Sequence, residues 1–305
     1  MAETRGALAL ALALVACGGD EQGWTETGPA PENWLTVQDA DATVMRIEGF
    51  SGPESVRYDP DQDVWFVGNF HGAGGERDAN GFVSRVSAGS GAVQALRFAR
   101  GTPEHPLHAA RGMFLTGDTL WVTDIDGVHG FDRRDGRQHA FVDLSGFEPG
   151  FLNDIAQGPD GALYVTDTGR SAVYRVDGRQ ATEALVDESL GGPNGITWDP
   201  ARSQFVLVPW QAPHRIHLWT VGSEPQGFGP SRTPGGLDGV EAIDRRILFA
   251  SQSDSALHLL DAGGTRVVIH TSGAPADIGL DTRRRRVAVP YVALNRVDVW
   301  QLPPR

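Results

Sequence analysis

Six short segments of this chain repeat one pattern and cut it into units of similar length. They read Glu54-Ser55-Val56, Arg111-Gly112-Met113, Asn153-Asp154-Ile155, Asn194-Gly195-Ile196, Asp238-Gly239-Val240 and Ala276-Asp277-Ile278. The second residue is small or acidic, and the third is a hydrophobe that opens a strand. A turn and a second apolar strand follow, such as Val64-Trp65-Phe66-Val67 or Leu163-Tyr164-Val165-Thr166. Successive starts lie 57, 42, 41, 44 and 38 residues apart, and a period of about 40 residues marks a propeller or a solenoid. The first interval is long because unit one carries two insertions, at 70–80 and 100–108.

Each unit can be written as four strands. In the third they fall at 154–156, 163–166, 172–176 and 183–186. Pro159-Asp160-Gly161, Asp177-Gly178 and Asp135-Gly136 supply the turn chemistry between strands. No segment shows a long helical period. The last unit lacks a fourth strand after 296–302, and 43–47 has unassigned strand character. That N-terminal strand is expected to close the ring, because an unclosed propeller leaves an exposed edge. The predicted fold is all-β: a six-bladed β-propeller, one domain over 43–305. Trp65, Trp121, Trp198, Trp219 and Trp300 suit packing between blades.

The first 42 residues read differently. An apolar run at 7–16 follows Arg5; it is too short to span a bilayer and fits a signal-peptide core. It ends in Leu14-Val15-Ala16-Cys17, which resembles the bacterial lipobox. Residues 1–16 are therefore expected to be a lipoprotein signal and Cys17 a lipidated first residue. Residues 17–42 would form a flexible tether holding the domain outside the cytoplasm, in the periplasm or on the outer membrane. Cys17 is the only cysteine, so the chain has no internal disulfide to form. A net charge of −13 argues against nucleic acid and against an anionic membrane surface as partner. Membrane contact is expected only through the lipid, and the chain is read as a monomer.

In a propeller the innermost strand of every blade starts at the same end of the central channel. The first residues of the six patterns should therefore face one another. Glu54 and Asp238 bring two carboxylates to that ring, and Asn153 and Asn194 two amide oxygens. Carboxylates facing each other in a narrow channel repel and lose hydration. A divalent cation removes both problems. Two carboxylates balance Ca²⁺, which takes six to eight oxygens, so open positions would remain for water or substrate. No histidine or cysteine joins the set, which disfavours zinc; another divalent cation than Ca²⁺ remains possible.

At these residues the chain resembles the regucalcin and gluconolactonase family of six-bladed, calcium-dependent lactonases, and more distantly the diisopropyl-fluorophosphatases and paraoxonases. The similarity rests on Pro53-Glu54-Ser55-Val56, Phe151-Leu152-Asn153-Asp154, Gly192-Pro193-Asn194-Gly195 and Leu237-Asp238-Gly239, and extends over about 45–302. It implies Glu54, Asn153, Asn194 and Asp238 as metal ligands, with Asp238 as general base, or as nucleophile in the phosphatase relatives. The implied activity is calcium-dependent hydrolysis of a small-molecule lactone or related ester. Phosphotriester or aryl-ester hydrolysis at the same site is one alternative; a non-catalytic binding module with a structural metal is another.

Two departures stand out. Arg57-Tyr58 occupies the place of the family's usual aromatic strand in blade one. Arg111 is expected to point into the ring, where a guanidinium clamps a substrate carboxylate or stabilises an oxyanion, or else pairs with Glu54 or Asp154 and weakens metal binding.

Other residues have competing readings. Asn153 and Asn194 also suit strand-start turns. Asp154 and Asp277 fit strand-start hydrogen bonding or support of a metal. Asp124 and Asp167 are expected to bind neighbouring backbone. His71 fits a proton shuttle or plain surface, Trp210 a pocket wall or a blade core, and 283–286 a solvated basic turn. Gly72–Gly75 lacks the Lys-Ser/Thr of a phosphate loop, and no His-Glu-x-x-His or Gly-x-Ser-x-Gly occurs.

Overall fold

Short runs such as Val64-Trp65-Phe66-Val67 are apolar on both faces because each second strand of the repeat is covered on both sides by neighbouring sheets. The computed structural model describes Trp34 and residues 36–304, apart from 73, 213, 214, 231 and 232. The expected signal segment 1–16 and Cys17 lie outside the described residues.

Six antiparallel sheets of four strands make up the described chain. Blade one is β2 (Pro53–Asp59), β3 (Val64–Asn69), β4 (Phe82–Ser87) and β5 (Val93–Ala99). Blade two is β6 (Met113–Thr116), β7 (Thr119–Thr123), β8 (Gly127–Asp132) and β9 (Gln138–Asp143). Blade three holds β10 (Leu152–Gln157), β11 (Leu163–Asp167), β12 (Ala172–Asp177) and β13 (Gln180–Val186). Blade four holds β14 (Pro193–Asp199), β15 (Gln204–Pro209), β16 (Ile216–Trp219) and β17 (Gln226–Phe228). Blade five holds β18 (Leu237–Ile243), β19 (Arg246–Ser251), β20 (Ala256–Asp261) and β21 (Gly264–His270). Blade six takes β22 (Gly279–Asp281), β23 (Arg286–Tyr291) and β24 (Arg296–Gln301), and its outer strand is β1 (Met45–Glu48). Met45 lies opposite Val299 and Glu48 opposite Arg296. The ring closes as the sequence predicts, leaving the last blade no missing strand.

The core is a circle of seams rather than one central mass. Trp65 and Val56 pack with Val297 between blades one and six, Phe66 and Leu120 between one and two, and Tyr164, Phe205 and Trp219 between three and four. Trp300 joins Leu248 and Tyr291 between five and six. Trp121 and Trp198 lie partly buried against such seams. Trp34 is 2% exposed and belongs to the same seam as Trp300, and Gln38 pairs with Ile269 beside β21. Of the expected tether at 17–42, the described residues Trp34 and Gln38 are docked on the propeller.

The basic run at 283–286 is not a solvated turn. Arg284 reaches Asp63 of blade one at 2.6 Å and Asp281 at 2.8 Å, and Arg285 reaches Asp244 of blade five at 2.6 Å. These pairs tie blade six to both neighbours, because the β22–β23 turn sits where three blades meet. Asp124 and Asp167 behave as expected. Asp124 accepts from the His108, Ala109 and Ile125 N–H groups, and Asp167 from those of Gly150, Phe151, Gly169 and Arg170.

Candidate metal centre

The innermost strands converge on a narrow axis, and the second residue of each repeat shows how narrow. A Cβ added at Gly112 would lie 2.4 Å from the Asp154 Cα, and one at Gly239 would lie 2.7 Å from the Asp277 Cα. Both are impossible contacts, so a glycine in one blade faces an aspartate in the next. Asp154 uses that position to accept from Ile155 N (2.7 Å) and from Ile196 N of blade four (2.8 Å). Small-or-acidic at the second position thus reflects strand-to-strand contact around the channel.

The first residues lie where the register breaks. Strand pairing shifts between Pro53 and Ser55, Leu152 and Ile155, Pro193 and Ile196, and Leu237 and Val240. Each shift brackets one of Glu54, Asn153, Asn194 and Asp238. A bulge re-aims a side chain out of the alternating pattern, and here the four side chains line one cavity of about 400 Å³. All four residues are 3–5% exposed.

Three of their oxygens lack partners. Glu54 Oε2, Asn194 Oδ1 and Asp238 Oδ1 are buried with no hydrogen bond. Asp238 Oδ2 accepts from Gln252 Nε2 at 2.8 Å, and Asn153 Nδ2 donates to Thr168 Oγ1 at 3.2 Å, which turns its amide oxygen away from that bond. Burial pushes the Asp238 carboxyl up to about 7 against the bonds from Gln252 and Asn194, with the Asp154 charge adding to the rise. Burial, then the Asp238 charge, holds Glu54 well above the usual carboxylate range. Uncompensated buried oxygens of this kind are costly, and a hard divalent cation satisfies them. The donor set fits one: all oxygen, with two carboxylates.

Beneath this ring the channel is also charged. Arg57 Nη1 meets Glu241 Oε1 at 2.9 Å, an ion pair from blade one to blade five across the axis. Asp277 Oδ2 is buried and unpartnered, and burial together with Asp154 raises its carboxyl well above the ordinary range. Asp154 itself is pushed up by burial to about 6, against Arg57 and the two N–H bonds.

Arg111 departs from the expectation of a substrate clamp. It is 1% exposed and is not among the residues lining the cavity. Its guanidinium donates to the Leu152 and Gly74 carbonyls and lies 3.7 Å over the Phe151 ring. Burial lowers it to about 10, which the Glu54 charge partly offsets. It supports the cavity wall and acts on the ring through its charge. His71 also stays out of the cavity, with Nδ1 at 2.6 Å from Ser51 Oγ and its ring against Phe82. Trp210 resolves to a cavity wall, 39% exposed.

Sequence reasoning missed a second ring. Phe70, Thr168, Trp210, Gln252 and Val292 all line the cavity, and each is the first residue after the second strand of its blade. The repeat register carries that signal, since all five follow the second strand of their blade. Asp124 holds the same position in blade two. With Asp126 and His129 it forms another group of ligand types, within 4.8 Å of one another. That group is largely engaged: Asp124 by three N–H groups, Asp126 by Arg77 at 2.5 Å, and His129 Nδ1 by Gln138 Nε2 at 2.8 Å.

A family model described as the SMP-30/gluconolactonase/LRE-like region matches residues 52–209, which include three of the four ring residues. The chain belongs to this family. Similar solved structures agree with the six-bladed architecture. A calcium-binding regucalcin from Agrobacterium tumefaciens superposes with a TM-score of 0.66 at 19% identity, covering 88% of this chain and 95% of that one. A gluconolactonase from Xanthomonas campestris gives 0.65 at 17% identity, covering 84% and 88%. A virginiamycin B lyase from Staphylococcus aureus gives 0.55 at 15%, covering 85% and 99%. A search of curated proteins found no match.

Proposed function

We propose that this protein is a divalent-cation-dependent hydrolase of lactones or related esters, with calcium as the ion. Family membership and the unpartnered, buried oxygens of Glu54, Asn194 and Asp238 support the reading, and the latter carry it. Glu54, Asn153, Asn194 and Asp238 would hold the ion. When bound, a calcium ion supplies Lewis-acid polarisation of the ester carbonyl.

The chain's own residues supply the rest. Gln252 fixes one Asp238 oxygen, so the other faces the cavity. That oxygen is placed to take a proton from water attacking the acyl carbon. The water oxygen bonds to that carbon, the ring C–O bond breaks, and the proton passes to the departing alkoxide. The product is the hydroxy acid, which ionises and releases a proton. Phe70, Phe151 and Val292 keep bulk water from the reacting atoms.

Calcium-dependent turnover of a lactone panel, lost in Asp238→Asn, is the test. A chelator-insensitive rate, or none with any lactone or aryl ester, would defeat the proposal. Cys17 extends it to location: we propose a lipid-anchored protein outside the cytoplasm.

A further inference from the structure

We propose that the cavity selects a lactone or ester carrying an apolar alkyl or aryl arm over a polyhydroxylated one. The inference rests on the hydrolase reading and deepens it. Above the four ring oxygens the walls are Phe70, Phe151, Trp210, Val292 and Ala276. Two polar side chains beside them, Thr168 and Gln252, are wholly or partly committed. Thr168 Oγ1 donates to the Pro193 carbonyl at 2.9 Å and accepts from Asn153. Gln252 Nε2 gives one of its two N–H groups to Asp238.

Arg111, whose charge acts on Glu54, is turned to the Leu152 and Gly74 carbonyls and stacked on Phe151. Beyond the four ring residues assigned to the ion and the rest of the Gln252 amide, Gln211, at the exposed mouth, is the remaining polar side chain among the described lining residues. A substrate with four or five hydroxyls would bury most of them without partners, and each unmet hydroxyl opposes binding. An alkyl or aryl arm meets none of that cost and gains from leaving water. The volume of about 400 Å³ leaves room for such an arm beside the ester, since small-molecule sites begin at roughly 300 Å³. Trp210 and Val292 follow the second strands of blades four and six, so rigid sheet ends hold these walls.

The test uses the full chain with calcium and six-membered lactones that differ only in substituent: δ-hexalactone, δ-octalactone, δ-decalactone and glucono-δ-lactone. Proton release gives kcat/KM for each. It should climb by about fourfold for each methylene buried, with every alkyl lactone above glucono-δ-lactone. Trp210→Ala should flatten the climb. Equal or faster turnover of the gluconolactone, or no dependence on chain length, would overturn the proposal.

If no lactone is turned over, the hydrolase reading fails alone, and binding decides the rest. Calorimetry with the unreactive lactams 6-pentyl-2-piperidone and gluconolactam should then show the pentyl compound at least about tenfold tighter. Tighter gluconolactam, equal affinities, or binding of neither would overturn the apolar selection.

Discussion

Gln252 Nε2 donates to Asp238 Oδ2 at 2.8 Å, and Asp238 Oδ1 is left buried, unpartnered and facing the cavity. One amide thereby divides the carboxylate into a held oxygen and an open one. Gln252→Ala should lower kcat by about 10–100-fold, as loss of an outer partner of a metal-bound or catalytic group does. Removing the amide also removes a bond that holds the Asp238 carboxyl down, so the acid limb of the pH–rate profile should move to higher pH. A variant with an unmoved profile and only a lower Tm would make the amide structural. Asp238→Asn keeps the shape but removes the proposed base, and on that proposal should cost about 10²–10⁴-fold in kcat.

Cation binding should be proton-linked. Asp238 titrates near 7 and Glu54 well above its usual range without the ion, both chiefly through burial. Each must lose its proton to ligate, so affinity should fall as pH drops below about 7 and binding should release protons. The sign for stability follows. A carboxyl raised on folding stabilises the metal-free protein at low pH, and that contribution is lost as pH rises through about 7. The Tm increase on adding calcium should therefore be larger at pH 8 than at pH 5.5. Calcium titrations by calorimetry in two buffers of different ionisation enthalpy check the proton release.

Arg111→Met tests whether this guanidinium holds the wall or the substrate. Two carbonyls, Leu152 and Gly74, lose their donor, which should cost about 2 kcal/mol of stability. KM should change little. A large rise in KM at unchanged Tm would restore the substrate-clamp role.

Much of this architecture was readable because a propeller repeats. A spacing near 40 residues, four-strand units and the spare strand at 43–47 led to six closed blades without any contact information. The positions of Glu54, Asn153, Asn194 and Asp238 were readable for the same reason: one register places them at one end of the axis. Arg111 shares that register but not its surroundings. A long side chain reaches past its start point, and the carbonyls that capture it come from residues 74 and 152, on either side in sequence. Arg284 misleads in the same way, since four arginines in a row look solvated until Asp63, far away in the chain, is found 2.6 Å from one of them.

Arg284→Ala should weaken ring closure. The pairs are about one-third exposed on the Arg284 and Asp63 sides, so screening limits the loss to about 1 kcal/mol. Arg284 holds the Asp63 carboxyl down at about 2. Its contribution is present above the unfolded value of about 3.9 and fades as pH falls through about 2. The Tm gap between wild type and variant should shrink over that window and be steady at neutral pH.

On the proposed lipid anchor, Cys17→Ser should move the protein from the detergent phase to the aqueous phase in a cloud-point partition of membranes from a lipoprotein-processing bacterial host. Partition unchanged by the substitution would remove the lipid anchor from the account.

The central claim is that four side chains from blades one, three, four and five share one ion. Diffraction from crystals grown with calcium, measured where calcium scatters anomalously, tests it directly. The account expects a peak about 2.3–2.6 Å from oxygens of Glu54, Asn153, Asn194 and Asp238. A ring without a peak, with calcium found instead at Asp124, Asp126 and His129 or nowhere, would contradict it.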